Sequence, residues 1–337
     1  MVLLVSINSQ GLRSSDRRKL AFQFFNRNRF DAVCLQETHW SVDLEMQVKR
    51  EWNGDIFFAD GANNARGVSI LIHSRLDHNI RQVKCDNESR IVNILLSIED
   101  RTLNIVNIYA PNQDCERRAF FSGLGRFTSN QYENIVAGDF NCVMEMKLDK
   151  YGGDPNARNS AACFLQEVNA RFDLCDIWRK RHRNERNFTW TGKNTWDNSL
   201  IRTRIDFILA SKTLDPFVSG THIGPYPYSD HDYTSLSLDL DQVITISDEP
   251  FLYRNWIAAG ITNICDVCYE VIPNFLPVSA IHEILSSVDE NCTLASVTRE
   301  FNRLLSAIPK EWIKQICSEQ IRPAPSNQPC FAIRSST

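Results

Sequence analysis

Eight short apolar runs punctuate the first 240 residues: VLLVSI (2–7), DAVCLQ (31–36), GVSILI (67–72), RIVNILLSI (90–98), TLNIVNIYA (102–110), ENIVAGDF (133–140), RIDFILAS (204–211) and TSLSLDL (234–240). Their length and their content of Val and Ile suit β-strands. Helical spacing appears between some of them. Asn159 is placed to cap a helix whose apolar positions are Ala161, Phe164, Leu165, Val168 and Phe172. Residues 16–29 also read as helix, with Asp16 at the start. Other runs follow one another with no helix between. That mixture predicts α/β layers with antiparallel portions, not a doubly wound parallel sheet.

The pattern changes after about residue 241. Strand alternation fades, and 278–287 and 297–318 read as helices, the second interrupted by Pro309. The last residues, RPAPSNQPCFAIRSST, have the composition of an unstructured end. We place the boundary between 242 and 243, giving a strand-rich domain over 1–242 and a short helical appendage over 243–337.

Composition narrows the function classes only modestly. The formal net charge is −4, so any nucleic-acid contact must come from a local basic patch. The eleven cysteines are scattered. Cys34, Cys142 and Cys163 lie in apolar runs, as reduced, buried thiols do. Cys265 and Cys268 form one CxxC with no second pair at zinc spacing. The apolar start, MVLLVSIN, is too short for a signal peptide and lacks a basic flank. No run approaches the ~18 apolar residues of a membrane span. The expectation is a soluble nuclear or cytoplasmic protein without a membrane partner.

Polar residues stand at the ends of the apolar runs. Asn8 ends VSIN, Glu37 follows DAVCLQ, and Tyr109 ends NIVNIY. Asp139 and Asn141 end NIVAGDFN, Asp206 sits in RTRID, and Asp230 and His231 sit in YSDHD. Strand ends and the loops after them are where α/β folds build sites. Asp139 and Asn141 are two apart, so on an extended segment their side chains face one point. Glu37 and Asp230 are hard oxygen donors suited to Mg²⁺ or Mn²⁺. His231 suits acid–base work, Asp206 can fix its tautomer, and Asp139 can activate a water. Together these are the parts needed to hydrolyse a phosphodiester. Each alone has a plainer reading: Glu37 as a solvated loop residue, SDH as a helix cap, GDFN as a turn, NIYAPN as a strand stopped by proline.

The set LQETH, GVSILI, NIYAPN, GDFN, RTRID and SDH resembles the endonuclease/exonuclease/phosphatase superfamily. More narrowly, LQETH, GDFNCV with LDKYGG after it, DIWR, FTW and SDHDYTSLSL resemble the apurinic/apyrimidinic-like endonuclease domain of LINE-type (non-LTR) retrotransposons. The resemblance covers residues 1 to about 240. It implies a four-layered α/β sandwich (DNase I-like). It also implies that Glu37 is the main metal ligand and that Asp230 assists it. His231 would contact the scissile phosphate, hydrogen-bonded to Asp206. Asp139 would orient or deprotonate the attacking water. Asn141 would position that water or the phosphate, Tyr109 and Asn112 would bind phosphate oxygens, and Asn8 would brace the Asp139 region. One position departs from the abasic-site enzymes, which carry a carboxylate two residues after that Asn; here it is Gln10.

The implied activity is Mg-dependent nicking of target DNA, with DNA as partner and other retrotransposon-encoded proteins as further candidates. The alternatives are an abasic-site nuclease or phosphatase of the same fold, or an inactive retrotransposon remnant that binds DNA. RKRHRNER (179–186) reads either as a solvated helix end or as a contact to DNA backbone. Residues 191–204 read as a hairpin, with Trp196, Arg202 and Arg204 as candidate DNA contacts; Arg66 is another. Residues 251–318 resemble segments downstream of the reverse transcriptase in the retrotransposon polyprotein, without a polymerase's acidic motif.

Overall fold

The computed structural model describes residues 1–240 except 62–64, 100, 155–158 and 196. The expectations placed on 243–337, including the helical appendage and the CxxC, lie outside the described residues.

In chain order the strands are β1 (Val2–Asn8), β2 (Ala32–Gln36), β3 (Gly54–Ala59), β4 (Val68–His73), β5 (Asn79–Cys85), β6 (Ile91–Ile98), β7 (Arg101–Tyr109), β8 (Glu133–Asp139), β9 (Lys150–Tyr151), β10 (Leu174–Asp176), β11 (Trp190–Lys193), β12 (Leu200–Thr203), β13 (Asp206–Ser211), β14 (Val218–Gly224) and β15 (Tyr233–Leu238). The helices are α1 (Ser15–Arg27), α2 (Val42–Glu51), α3 (Asp114–Gly123), α4 (Met146–Asp149), α5 (Ala161–Arg171) and α6 (Ile177–Arg181).

Two six-stranded sheets carry the fold, in the orders β14-β15-β1-β2-β4-β3 and β10-β13-β8-β7-β6-β5. Each has one parallel pair, β1 with β2 and β7 with β8; the other pairs are antiparallel. Parallel neighbours need a crossover, and α1 and α3 supply it. β9, β11 and β12 form a separate three-stranded sheet.

Burial explains why the strand sequences are apolar almost throughout rather than alternating. One core cluster joins Leu4, Cys34 and Ile70 of the first sheet to Ile94, Ile105, Ile135 and Ile208 of the second, so the sheets face each other. A second cluster joins the outer face of the first sheet (Val5, Ile7, Val33, Leu35) to Phe22, Phe25 and Val48 of α1 and α2. A third joins Val106, Ile108 and Val136 to Phe121 of α3 and Leu165 of α5. Ile135 and Ala137 point inward while Val136 points outward, the two-residue period of a strand buried on both faces. The result is a four-layered α/β sandwich.

The weakly apolar elements were not legible: β5 is mostly exposed, GDIFFA of β3 opens on glycine, and α3 buries little beyond Arg117 and Phe121. Two local expectations are corrected. Asn159 does not cap α5; its amide donates to the Val143 carbonyl at 2.5 Å, and Asp114 accepts from Ala161 N at 3.1 Å instead. Cys34 and Cys142 are buried, but Cys163 is exposed, because its place on α5 turns it to solvent.

Polar side chains tie the facing sheets together near one end. Asn107 on β7 donates to the carbonyls of Leu35 (2.8 Å) and Ser69 (2.9 Å) and accepts from Gln36 Nε2 at 2.6 Å. Asn107 and Gln36 are both fully buried, and these bonds satisfy the Asn107 amide and the Gln36 Nε2. The bridge fixes the ends of β2 and β7, and Glu37 and Tyr109 lie next to it.

Candidate active site

The ends of β1, β2, β7, β8 and β13 meet at a cleft of about 400 Å³, lined among others by Glu37, Tyr109, Asn112, Asp139, Asn141, Asp230 and His231. Asp139 and Asp206 are register partners on neighbouring strands, so their side chains share a face. Asp206 Oδ2 lies 2.9 Å from His231 Nδ1, which fixes the tautomer. Asn8 Nδ2 donates at 3.0 Å to both Glu37 Oε1 and Asp139 Oδ2, linking the two sheets across the cleft. Asn8 Oδ1 in turn accepts from Gln10 N at 3.1 Å.

Asn141 arrives differently from expectation. Its φ is +47°, so it has left the strand, and it reaches the cleft through a turn rather than the pleat. The turn is closed by Asn141 N donating to Asp139 Oδ1 at 2.9 Å, and Asn141 Nδ2 donates to the Ala110 carbonyl at 2.9 Å. That leaves the Asn141 side-chain oxygen as its unspent group. Glu37 also sits at positive φ, +49°. The backbone thus bends sharply where two strands deliver their side chains.

The electrostatics follow from burial. Asp139 is 1% exposed. Burial holds its carboxyl above the ordinary range, and the Asp206 carboxylate opposite adds repulsion. Burial would lower the His231 pKa, but the adjacent Asp206 carboxylate outweighs it, and His231 is raised. Burial and then Glu37 raise Tyr109, so its phenol stays protonated and able to donate.

A divalent cation fits these residues. Asp206 Oδ1 is buried without a hydrogen-bond partner, two buried carboxylates lie side by side, and the Glu37 carboxylate faces them across Asn8. Asp139, Asp206 and His231 offer ligand atoms within 4.8 Å of one another. Two of these three are already bonded to each other, which leaves Glu37, with its hard oxygens at the cleft, better suited to a cation.

Not every sequence candidate reaches the cleft. Arg204 is corrected: it is 1% exposed, so it cannot meet DNA. Its guanidinium is held by Asp149 at 2.8 and 2.9 Å and by Asp176 at 2.7 Å, between the rings of Trp178 and Phe207. Arg202 is exposed, but on the far side of its sheet. The row Trp190–Thr203–Lys150 lines the cleft, and the next row, Thr191–Arg202–Tyr151, faces away. Trp196 lies outside the described residues. Arg66 is exposed, and its carbonyl accepts from His39 N at 3.0 Å. Much of the basic run is spent internally: Arg179 on Asp149 at 2.5 Å, and Lys180 and Arg181 on Asp215. Arg183 and Arg186 remain exposed.

Sequence reasoning missed Trp190, Lys150 and Arg117, which also line the cleft. FTW and LDKYGG had marked their segments, but nothing in the one-dimensional pattern says which residue of each turns inward.

A model of the Endonuclease/Exonuclease/phosphatase family matches residues 5–231, from β1 to the histidine of the Asp206 pair. The chain belongs to that family. Over 244 residues it is 28% identical to a Xenopus laevis protein named as a transposon TX1 uncharacterized 149 kDa protein; the match covers 71% of this chain and 18% of that one. Solved structures share the fold. An AP endonuclease from Archaeoglobus fulgidus superposes with a TM-score of 0.59 at 18% identity, covering 71% of this chain and all of that one. The Xenopus laevis APE2 catalytic domain gives 0.57 at 20% identity, covering 71% and 92%. A Neisseria 3′ phosphatase bound to product DNA hairpin gives 0.57 at 17% identity, covering 71% and 100%. Among the described residues, no helix is long and apolar enough to cross a membrane.

Proposed function

We propose that this chain is a divalent-cation-dependent DNA endonuclease of retrotransposon type, nicking one strand to leave a 3′ hydroxyl. The observation that carries the reading is the Asp139–Asn8–Glu37 chain of hydrogen bonds standing beside the buried Asp206–His231 pair.

Glu37 would hold Mg²⁺ or Mn²⁺ with help from Asp230, and the bound cation would supply a counter-charge for the phosphate oxygens. The remaining chemistry belongs to side chains. Asp139, with its pKa raised, is suited to take a proton from the attacking water, and Asn141 Oδ1 can orient that water. The proton that Asp206 keeps on His231 makes Nε2 a charged donor to a phosphate oxygen. Tyr109 and Asn112 donate to the same group, and Asn8 holds Asp139 in place. The retrotransposon part of this reading is supported by the relative named for a transposon, and the DNA partner by the fold neighbour bound to a product DNA hairpin. Gln10 lines the cleft where abasic-site enzymes carry a carboxylate, which weighs against abasic repair. The complete hydrogen-bonded set at the cleft weighs against an inactive remnant.

The test is plasmid nicking by the full chain in Mg²⁺, beside EDTA and an Asp139→Ala, His231→Ala variant. Nicked circles from the parent alone support the reading. Cleavage of abasic or phosphomonoester substrates without nicking would move the assignment to another member of the fold. DNA binding without cleavage of any of them would leave the remnant.

A further inference from the structure

Trp190 is joined to the active-site loop twice. Its backbone pairs with His231 in an isolated antiparallel bridge, and its indole Nε1–H donates to Asp230 Oδ2 at 3.0 Å. The neighbouring Thr189 carbonyl accepts from Asp232 N at 2.7 Å, so the loop is pinned on both sides of His231. The ring has a built seat. It lies over Gly192, two residues along the same strand face, where a Cβ would meet the ring at 2.2 Å.

Asp230 needs holding. Its side chain is 41% exposed, and its Oδ1 lies 4.0 Å from His231 Nε2, just beyond hydrogen-bond range. The other imidazole nitrogen is already taken by Asp206. A small rotation of Asp230 would put a carboxylate on each edge of the ring, and no N–H would remain for a substrate. An indole N–H is a donor only, so it can fix a carboxylate without competing for the imidazole proton.

We propose that Trp190 is a positioning residue: seated on Gly192, its indole N–H holds the Asp230 carboxylate at the cleft mouth and off His231 Nε2, leaving that edge of the imidazole open. The catalytic consequence rests on the nuclease reading above; the clamp itself does not.

Trp190→Phe in the full chain keeps an aromatic ring at the position while removing the N–H, together with the benzo edge that lies over Gly192. Plasmid nicking is expected to lose about tenfold in kcat with KM little changed, as for a group that acts after binding. In an Asp230→Ala background the same substitution is expected to cost nothing further, because no carboxylate is left to hold. A tryptophan that merely walls the cleft would cost the same in both backgrounds. The second readout needs no activity: the ring ¹⁵N resonances of His231. They are expected to move in Trp190→Phe and in Gly192→Ala, which unseats the indole. In Trp190→Phe/Asp230→Ala they should coincide with those of Asp230→Ala alone. Unmoved His231 resonances in Trp190→Phe would overturn the clamp. A parent that nicks nothing would overturn the nuclease reading, and the resonances would still decide the clamp.

Discussion

His231 shows how one neighbour sets a residue's chemistry. In an unfolded chain its pKa would be about 6.5. In the fold it is raised, because the Asp206 carboxylate at 2.9 Å outweighs burial. The folded state therefore binds a proton that the unfolded state releases. The stabilisation is complete below about pH 6.5 and fades as pH climbs toward the raised value. His231→Asn should cost more stability at pH 6 than at pH 9, read from urea transitions at both; an equal cost would mean the imidazole is not held charged. Arg204 gives a second prediction. Asp149 is fully buried, and Arg204→Ala would leave it short of a partner. The expected loss is about 3 kcal/mol of unfolding free energy. Were Arg204 a DNA contact, stability would hold and only the salt dependence of binding would change, its slope falling by about 1.

At the scale of elements, β8 is the strand on which the site depends, since it ends in Asp139. Gly138 sits at φ +149°, and a Cβ there would lie 2.0 Å from the Ile108 carbonyl oxygen on β7. Only glycine allows β7 and β8 to pair this closely beside the cleft. Gly138→Ala should lose several kcal/mol or fail to accumulate as folded protein, a cost measurable by thermal unfolding against the parent. A wild-type transition would show that β8 can shift. The small sheet of β9, β11 and β12 has a comparable division of labour. One row of side chains lines the cleft, and the other, with Tyr151 52% exposed, turns outward.

For the molecule as a whole, the described residues up to 240 already cover both faces of the two large sheets with three core clusters. Residues 1–240 are therefore expected to fold on their own. A single cooperative urea transition matching that of the same residues in the full chain would bear this out; aggregation of the shortened chain would show that the remainder contributes to the core. With a net charge of only −4, any attraction to DNA must be local. Of the basic residues singled out in the sequence, exposed Arg66 and Arg183 are the candidates, since Lys180 and Arg181 are paired to Asp215 and Arg186 donates to the Lys150 carbonyl at 2.8 Å.

The sequence by itself determined eight of the fifteen described strands, the helices α1 and α5, and the identity of the polar residues at strand ends. Long apolar runs report burial on two faces, and LQETH, GDFN and SDH are local strings that need no partner to be read. What only the tertiary structure decided depends on neighbours far along the chain. Edge strand β5 and helix α3 are set by what they pack against rather than by their own pattern. Arg202 and Arg204 are two apart with similar chemistry, yet one is solvent-exposed and the other is enclosed by Asp149, Asp176 and two aromatic rings. Strand alternation would have put them on one face; a break between β12 and β13 separates their fates. Asn141 joins Asp139 at the cleft through a turn at positive φ, a conformation that spacing alone does not reveal. The pairing of Asp206 with His231, 25 residues apart, and of Asn8 with Asp139, 131 apart, exists only because two sheets bring their strand ends to one cleft.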